Sequence, residues 1–262
     1  MTPALLAFWR DLFTFLAFMS WHLVGNPNAL KIHRKDLFLL SGMGVVLGLF
    51  HVFWNVGVLY NGPAVTTVQQ AAAPAIITVI ARVFWGESIE WKKGGAILLT
   101  FIGTAMTAFG EERGGVSLTT VGLIIGFGVP ISYTGWSMLG KMLRYDYSAS
   151  TILTYAFGFA ALALSPVQMM QDLPKSISVV QIFCFSGLIF ISTIGAFLLF
   201  TFGIGRIPVS TASILAMSEI FFVSVFSILI LGDPVSGREI TGGALVVSGV
   251  LILLWPRRSQ VS

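Results

Sequence analysis

Glu219 is the residue whose type and place could do the most chemistry. It sits midway along an apolar run, 208–231, so a helix built on that run holds the carboxyl near its centre. Withdrawing a carboxyl from water favours its protonated form unless a partner or a water-filled space offsets the cost. Glu219, with Ser218 before it, therefore reads as a proton-coupling or amine-binding group, and as readily as a protonated side chain that glues helices together. Arg10 and Asp11 interrupt a second apolar run, 2–24, about halfway along. Neighbours in a helix point about 100° apart, so the two are not expected to pair with each other across one face. Arg10 could meet a solute carboxylate or the Glu219 region, or join salt bridges between helices.

Three further groups fall inside apolar runs. Pro74 follows Gln69 and Gln70; a proline there frees a backbone carbonyl and kinks a helix, whether to line a cavity or only to bend. His51 and Asn55 share a helix face at i, i+4, and a lone buried histidine reads first as a packing or hydrogen-bonding residue. Tyr133 and Trp136, at i, i+3 behind Pro130 and Ser132, form an aromatic face that suits a cavity wall or plain packing.

Other chemistry lacks its residues. The three histidines, His22, His33 and His51, have no HExxH spacing, and the single cysteine, Cys184, allows no CxxC metal site. Ser186-Gly187 and Ser248-Gly249 lack the upstream glycine of an intramembrane serine nucleophile, and no Walker loop is present. No metal, no cofactor and no enzyme activity are expected. The formal charge of +4 could suggest nucleic acid, but the basic residues lie between apolar runs and so bear on topology instead.

The elements that must hold these residues are membrane helices. The chain is 56% hydrophobic and 10% charged, against nearer half and a quarter for a soluble domain. Its mean hydropathy is +0.90. Apolar runs near 2–24, 37–60, 64–85, 94–109, 119–141, 149–169, 179–203, 208–231 and 240–255 predict an all-α polytopic protein of about nine transmembrane helices. Turn residues join them: Gly25-Asn26-Pro27, Asn61-Gly62-Pro63, Gly114-Gly115 and Gly232-Asp233-Pro234. With the first helix running inward, ten Lys and Arg fall in inner loops and three in outer ones, which places the C-terminus in the cytoplasm. Met1 then begins outside, and an additional helix upstream is the expected explanation.

Self-comparison adds architecture. Pro63-Ala-Val-Thr-Thr through Gly86-Glu87 to Gly94-Gly95-Ala matches Pro208-Val-Ser-Thr through Gly232-Asp233 to Gly242-Gly243-Ala. In the predicted topology the two copies cross in opposite directions, an arrangement found in secondary transporters. Together with Leu-Leu-Ala-Phe-Trp-Arg10, Tyr60, Pro74 and Ser218-Glu219, the ordered set resembles the drug/metabolite transporter superfamily, EamA type. The resemblance implies ten helices in two inverted five-helix repeats, here 1–112 and 113–262, with the first helix absent. It also implies a multi-pass protein of the cytoplasmic membrane that moves amino acids or similar metabolites outward by alternating access. A nucleotide-sugar-type exchanger is the alternative within the superfamily, and a channel or scaffold the alternative outside it. The expected partners are a small-molecule substrate, the lipid bilayer and, if Glu219 couples, protons. Its candidate site is Glu219, Ser218, Arg10, Asn55, Gln70, Pro74, Tyr133 and Trp136.

Overall fold

The computed structural model describes residues 2–108, 119–169, 178–226, 229–230 and 236–255. Gly114-Gly115, Gly232-Asp233-Pro234 and the cations Arg113, Lys175, Arg257 and Arg258 lie outside these residues. Helices α1 (Pro3–Gly25), α2 (Leu37–Gln70), α3 (Ala73–Trp85) and α4 (Trp91–Ala108) form the first part. Then come α5 (Thr120–Gly126), α6 (Gly128–Leu143), α7 (Ala149–Met169) and α8 (Val179–Gly187), a π-helical stretch Leu188–Gly195, and α9 (Ala196–Ile204). The last are α10 (Val209–Ala216), α11 (Glu219–Phe226) and α12 (Gly237–Leu254). Among the described residues there is no strand, as hydrocarbon requires of a chain that must satisfy its own backbone.

Local chemistry sets the boundaries. Thr2 caps α1 with Pro3 in its first turn, and Ser178–Gln181 and Ser236–Glu239 form capping boxes on α8 and α12. Gly86, at φ 64°, ends α3 in the left-handed conformation that glycine adopts without strain. Six stretches are long and apolar enough to cross a membrane. One of them, Arg34–Trp85, has 52 residues, about twice a crossing, and it turns at Gly62 (φ 82°) ahead of Pro63. The 18-residue α4 and the shorter apolar stretch Val209–Val223 add to them in a polytopic all-α membrane protein.

Small residues let the helices meet backbone to backbone. A Cβ on Gly44 would stand 2.7 Å from the Ala156 carbonyl of α7, and one on Gly48 3.4 Å from that of Ala160. Helices α4 and α12 run antiparallel, with Gly103 against Gly242 and Ala96 against Gly249. By contrast, residues 179–204 leave Phe183, Phe190, Ile191 and Leu199 outward-facing.

Three passes are interrupted. The pass after Gly62 breaks at Ala71–Ala72, the pass of α5 and α6 at Phe127, and the pass of α10 and α11 at Met217–Ser218. At the first and last breaks the chain tightens to i→i−3 bonds: Ala72 N to Gln69 O at 3.2 Å, Met217 N to Ile214 O at 3.1 Å and Ser218 N to Leu215 O at 3.1 Å. Pro74 therefore stands in the first turn of α3 rather than in mid-helix, where its missing N–H leaves no donor unmatched.

Candidate functional site

One hydrogen bond joins the two breaks at Ala71–Ala72 and Met217–Ser218. Gln70, the last residue of α2, donates from Nε2 to Oε1 of Glu219, the first residue of α11, at 2.9 Å. Gln70 is buried, whereas Glu219 remains solvent-accessible although it lies halfway along its pass. A carboxyl at that depth does not face hydrocarbon without a large cost, so the space beside it suits water or a polar solute.

Tyr133 and Trp136 lie packed in the apolar core, 6% and 2% exposed. The Tyr133 ring packs edge-on against Trp136 at 5.5 Å, Phe50 at 5.8 Å and Phe200 at 5.9 Å. Trp136 in turn meets Phe197 at 5.2 Å. Ser132 bonds back to the Gly128 and Val129 carbonyls of its own helix. Helix α6 thus presents Tyr133 and Trp136 on one face, as their spacing predicts.

The other candidates are spent elsewhere. Arg10 reaches back to Asp11, Nε to Oδ1 at 3.7 Å, because a long guanidinium arm can fold where the Cα–Cβ vectors diverge. This differs from the expectation that adjacent residues would not pair. Asn55 donates to the Pro3 carbonyl at 3.1 Å and Ser218 to that of Leu215 at 2.7 Å, so both close backbone groups at helix ends or breaks. Pro74 accepts from Thr78 Oγ1 at 2.7 Å. Sequence reasoning did not join Asp11 to His51, yet Nδ1 of His51 lies 2.7 Å and 3.0 Å from the two Asp11 oxygens. A signal was present: a buried charge requires a partner, and both residues fall in mid-run.

At the Lys/Arg-rich end, a latch ties the two parts together. Glu87 accepts from the backbone N–H of Val209 at 3.0 Å and from the Ser210 hydroxyl, at the open start of α10. Lys93 donates to Ser210 Oγ at 2.9 Å and pairs with Glu87 at 3.4 Å. Tyr147 also bonds Asp36 at 2.7 Å and Tyr155 bonds the Leu30 carbonyl at 2.7 Å. Lys93→Met is expected to lower the midpoint of thermal unfolding in detergent, since it strips a mostly buried carboxylate of its ion pair for about 1–3 kcal/mol. A midpoint equal to that of the unmodified chain would show the latch to be energetically idle.

A groove of about 370 Å³ lies apart from all of this, lined by Phe101, Ile102, Ala105, Met106 and Arg238. Among the described residues, Arg238 is the one charged residue of its lining.

The chain matches the EamA-like transporter family over residues 1–109 and 120–255. Two proteins of Archaeoglobus fulgidus described as uncharacterized transporters are 22% and 27% identical to it. The first alignment covers 87% of this chain and 81% of the relative, the second 91% and 84%. A Rickettsia prowazekii protein described as an S-adenosylmethionine uptake transporter is 20% identical over 98% of this chain and 84% of its own. One crystal structure superposes with a TM-score of 0.80 at 16% identity, covering 96% of this chain and 87% of that one.

Proposed function

Because the chain belongs to the EamA-like transporter family, we propose that it is a secondary transporter of the cytoplasmic membrane that carries small amine-bearing metabolites by alternating access. The observation that carries this reading is the Gln70–Glu219 bond between two broken passes. Broken helices that meet at mid-depth around a side-chain acid are a recurrent plan for carrier sites. In this reading residues 1–112 and 113–262 are inverted halves that rock about the Glu219 layer, with the C-terminus in the cytoplasm. The antiparallel contact of α4 with α12 is what a two-fold axis between the halves would give.

Glu219 takes the ammonium group of the solute, and Tyr133 and Trp136 support the site from the core. Amino acids and related metabolites fit this pairing, moving outward from the cytoplasm. The relative described as taking up S-adenosylmethionine, an amino-acid-derived cation, agrees with an acidic site but favours the opposite direction. A phosphorylated cargo fits less well beside an acid such as Glu219.

The test is counterflow. The purified chain is reconstituted into vesicles loaded with a panel of unlabelled amino acids and amines, and entry of the labelled solute is followed. Saturable counterflow of an amine-bearing set is expected, reduced about tenfold or more in Gln70→Leu, which removes one hydrogen bond from a carboxylate. Absence of counterflow from correctly inserted protein would overturn the reading. Counterflow unchanged in Gln70→Leu would move the site elsewhere.

A further inference from the structure

We propose that His51 is a proton-binding site of this transporter, separate from Glu219, with Asp11 as its counter-charge. The proposal rests on the transporter reading only for what the proton does, not for where it binds. Both side chains are fully enclosed: Asp11 is 0% and His51 1% exposed. The Asp11 carboxylate faces Nδ1, so this nitrogen carries hydrogen and donates. The opposite nitrogen, Nε2, then holds a bare lone pair, and no hydrogen-bond partner reaches it. An unmet buried acceptor is costly, and at His51 the neighbouring Asp11 carboxylate supplies the counter-charge that a bound proton would need.

Two occupants could meet that lone pair, a donor on the solute or a proton. Space decides between them. The imidazole is stacked on Phe157 at 6.1 Å, edge-on to Phe197 at 5.7 Å and tilted against Phe50 at 5.5 Å. Nε2 has almost no accessible surface among these rings, so a solute group finds no room. A proton needs none. Once bound, it creates an imidazolium whose other N–H already rests on a carboxylate.

Charge makes the binding conditional. Around His51, α1 supplies Arg10 and Asp11, which offset each other at 3.7 Å. Helices α7 and α9 face it with the phenyl rings of Phe157 and Phe197. Helix α6 supplies Tyr133 and Trp136, which border the same cluster through Phe50 and Phe197 and carry no charge. Adding a proton takes the enclosed group from net neutral to a single positive charge, which low-dielectric surroundings oppose. Admitting water between α1, α2, α7 and α9 removes that opposition. Protonation and the separation of these helices are therefore linked, and by reciprocity each biases the other.

The experiment compares two fluxes in the same vesicles. Counterflow needs no net proton movement, whereas accumulation driven by a pH gradient does. Asparagine at this position keeps a donor toward Asp11 and cannot titrate, so His51→Asn is the informative variant. One proton per solute gives about tenfold accumulation per unit of pH difference, since a tenfold ratio corresponds to about 1.4 kcal/mol. The expected result is that His51→Asn abolishes this accumulation and retains counterflow. Accumulation equal to that of the unmodified chain would overturn the proposal. If the variant does not fold, or if the unmodified chain carries no tested solute, nitrogen NMR of the ¹⁵N-histidine-labelled unmodified protein decides. His51 is assigned there against His22→Gln and His33→Gln. An Nε2 resonance that moves from the unprotonated to the protonated position between about pH 8 and 5 supports the site, and one that stays fixed overturns it.

Discussion

Glu219→Gln is expected to abolish solute counterflow, while Glu219→Asp retains part of it. Glutamine fills the same volume and still accepts from Gln70, so the junction between the two broken passes remains bonded. What disappears is the negative charge available to an ammonium group. A hydrogen bond to a charged partner contributes about 1.5–3 kcal/mol, and the mid-depth setting places the loss at the upper end. That corresponds to a fall in flux of about a hundredfold, measured as the initial rate of labelled solute entry at fixed internal load. Aspartate keeps the charge but withdraws it by about one methylene, so it should raise the half-saturating concentration more than it lowers the maximal rate. Thermal unfolding of both variants should stay near that of the unmodified chain. Full counterflow by Glu219→Gln with intact folding would remove Glu219 from the solute's path and leave it as a bond between helices.

The contrast with Gln70→Leu sharpens the assignment. Leucine leaves the Glu219 carboxyl in place but without its donor. A solute ammonium could replace the lost donor in the loaded state, so affinity should suffer less than in Glu219→Gln. The order of effects, Glu219→Gln greater than Gln70→Leu, separates a binding acid from a purely structural pair. A structural pair would respond equally to loss of either partner.

Much of this arrangement was legible in the residues, and the parts that were not share a cause. The passes and the turn at Asn61-Gly62-Pro63 follow from run length and from glycine's tolerance of positive φ. Glu219 announced itself as a carboxyl in the middle of an apolar run. The breaks at Ala71–Ala72 and Met217–Ser218 did not, because alanine and methionine are good helix formers and nothing local ends the helix there. Pro74 carried half the signal. It fits a helix start as well as a kink, and only the tertiary setting selects between them. The pairings Asp11–His51, Gln70–Glu219 and Lys93–Ser210 join residues 40, 149 and 117 positions apart. Local periodicity says which face a residue occupies, not which helix packs on that face. Arg10–Asp11 shows the converse: the faces were read correctly, but side-chain length overrode them.

The seam between α4 and α12 supports the last expectation, which concerns folding. Gly103→Ala should destabilise the protein severely, while Gly95→Ala, the same change two turns away in the same helix, should be neutral or stabilising. A Cβ at Gly103 would stand 2.5 Å from the Gly242 carbonyl oxygen and 2.9 Å from the Val246 nitrogen. Both are backbone atoms of another helix, and no rotamer change moves them. The two helices must separate, and the contact between Gly249 and the Ala96 carbonyl, at 3.0 Å for an added Cβ, loosens with them. Overpacking costs about 1–3 kcal/mol where side chains can adjust, and more where only backbone can yield. In a bilayer, where close packing rather than water exclusion holds helices together, little remains to offset the loss. At Gly95 an added methyl meets nothing within 4 Å and gains alanine's helix preference, about 1 kcal/mol. Detergent thermal unfolding and the yield of monodisperse protein report both effects, with Gly103→Leu expected to give no folded protein at all. Equal behaviour of Gly103→Ala and Gly95→Ala would mean that α4 and α12 are not in backbone contact. The antiparallel seam would then no longer support two inverted halves turning about a common axis.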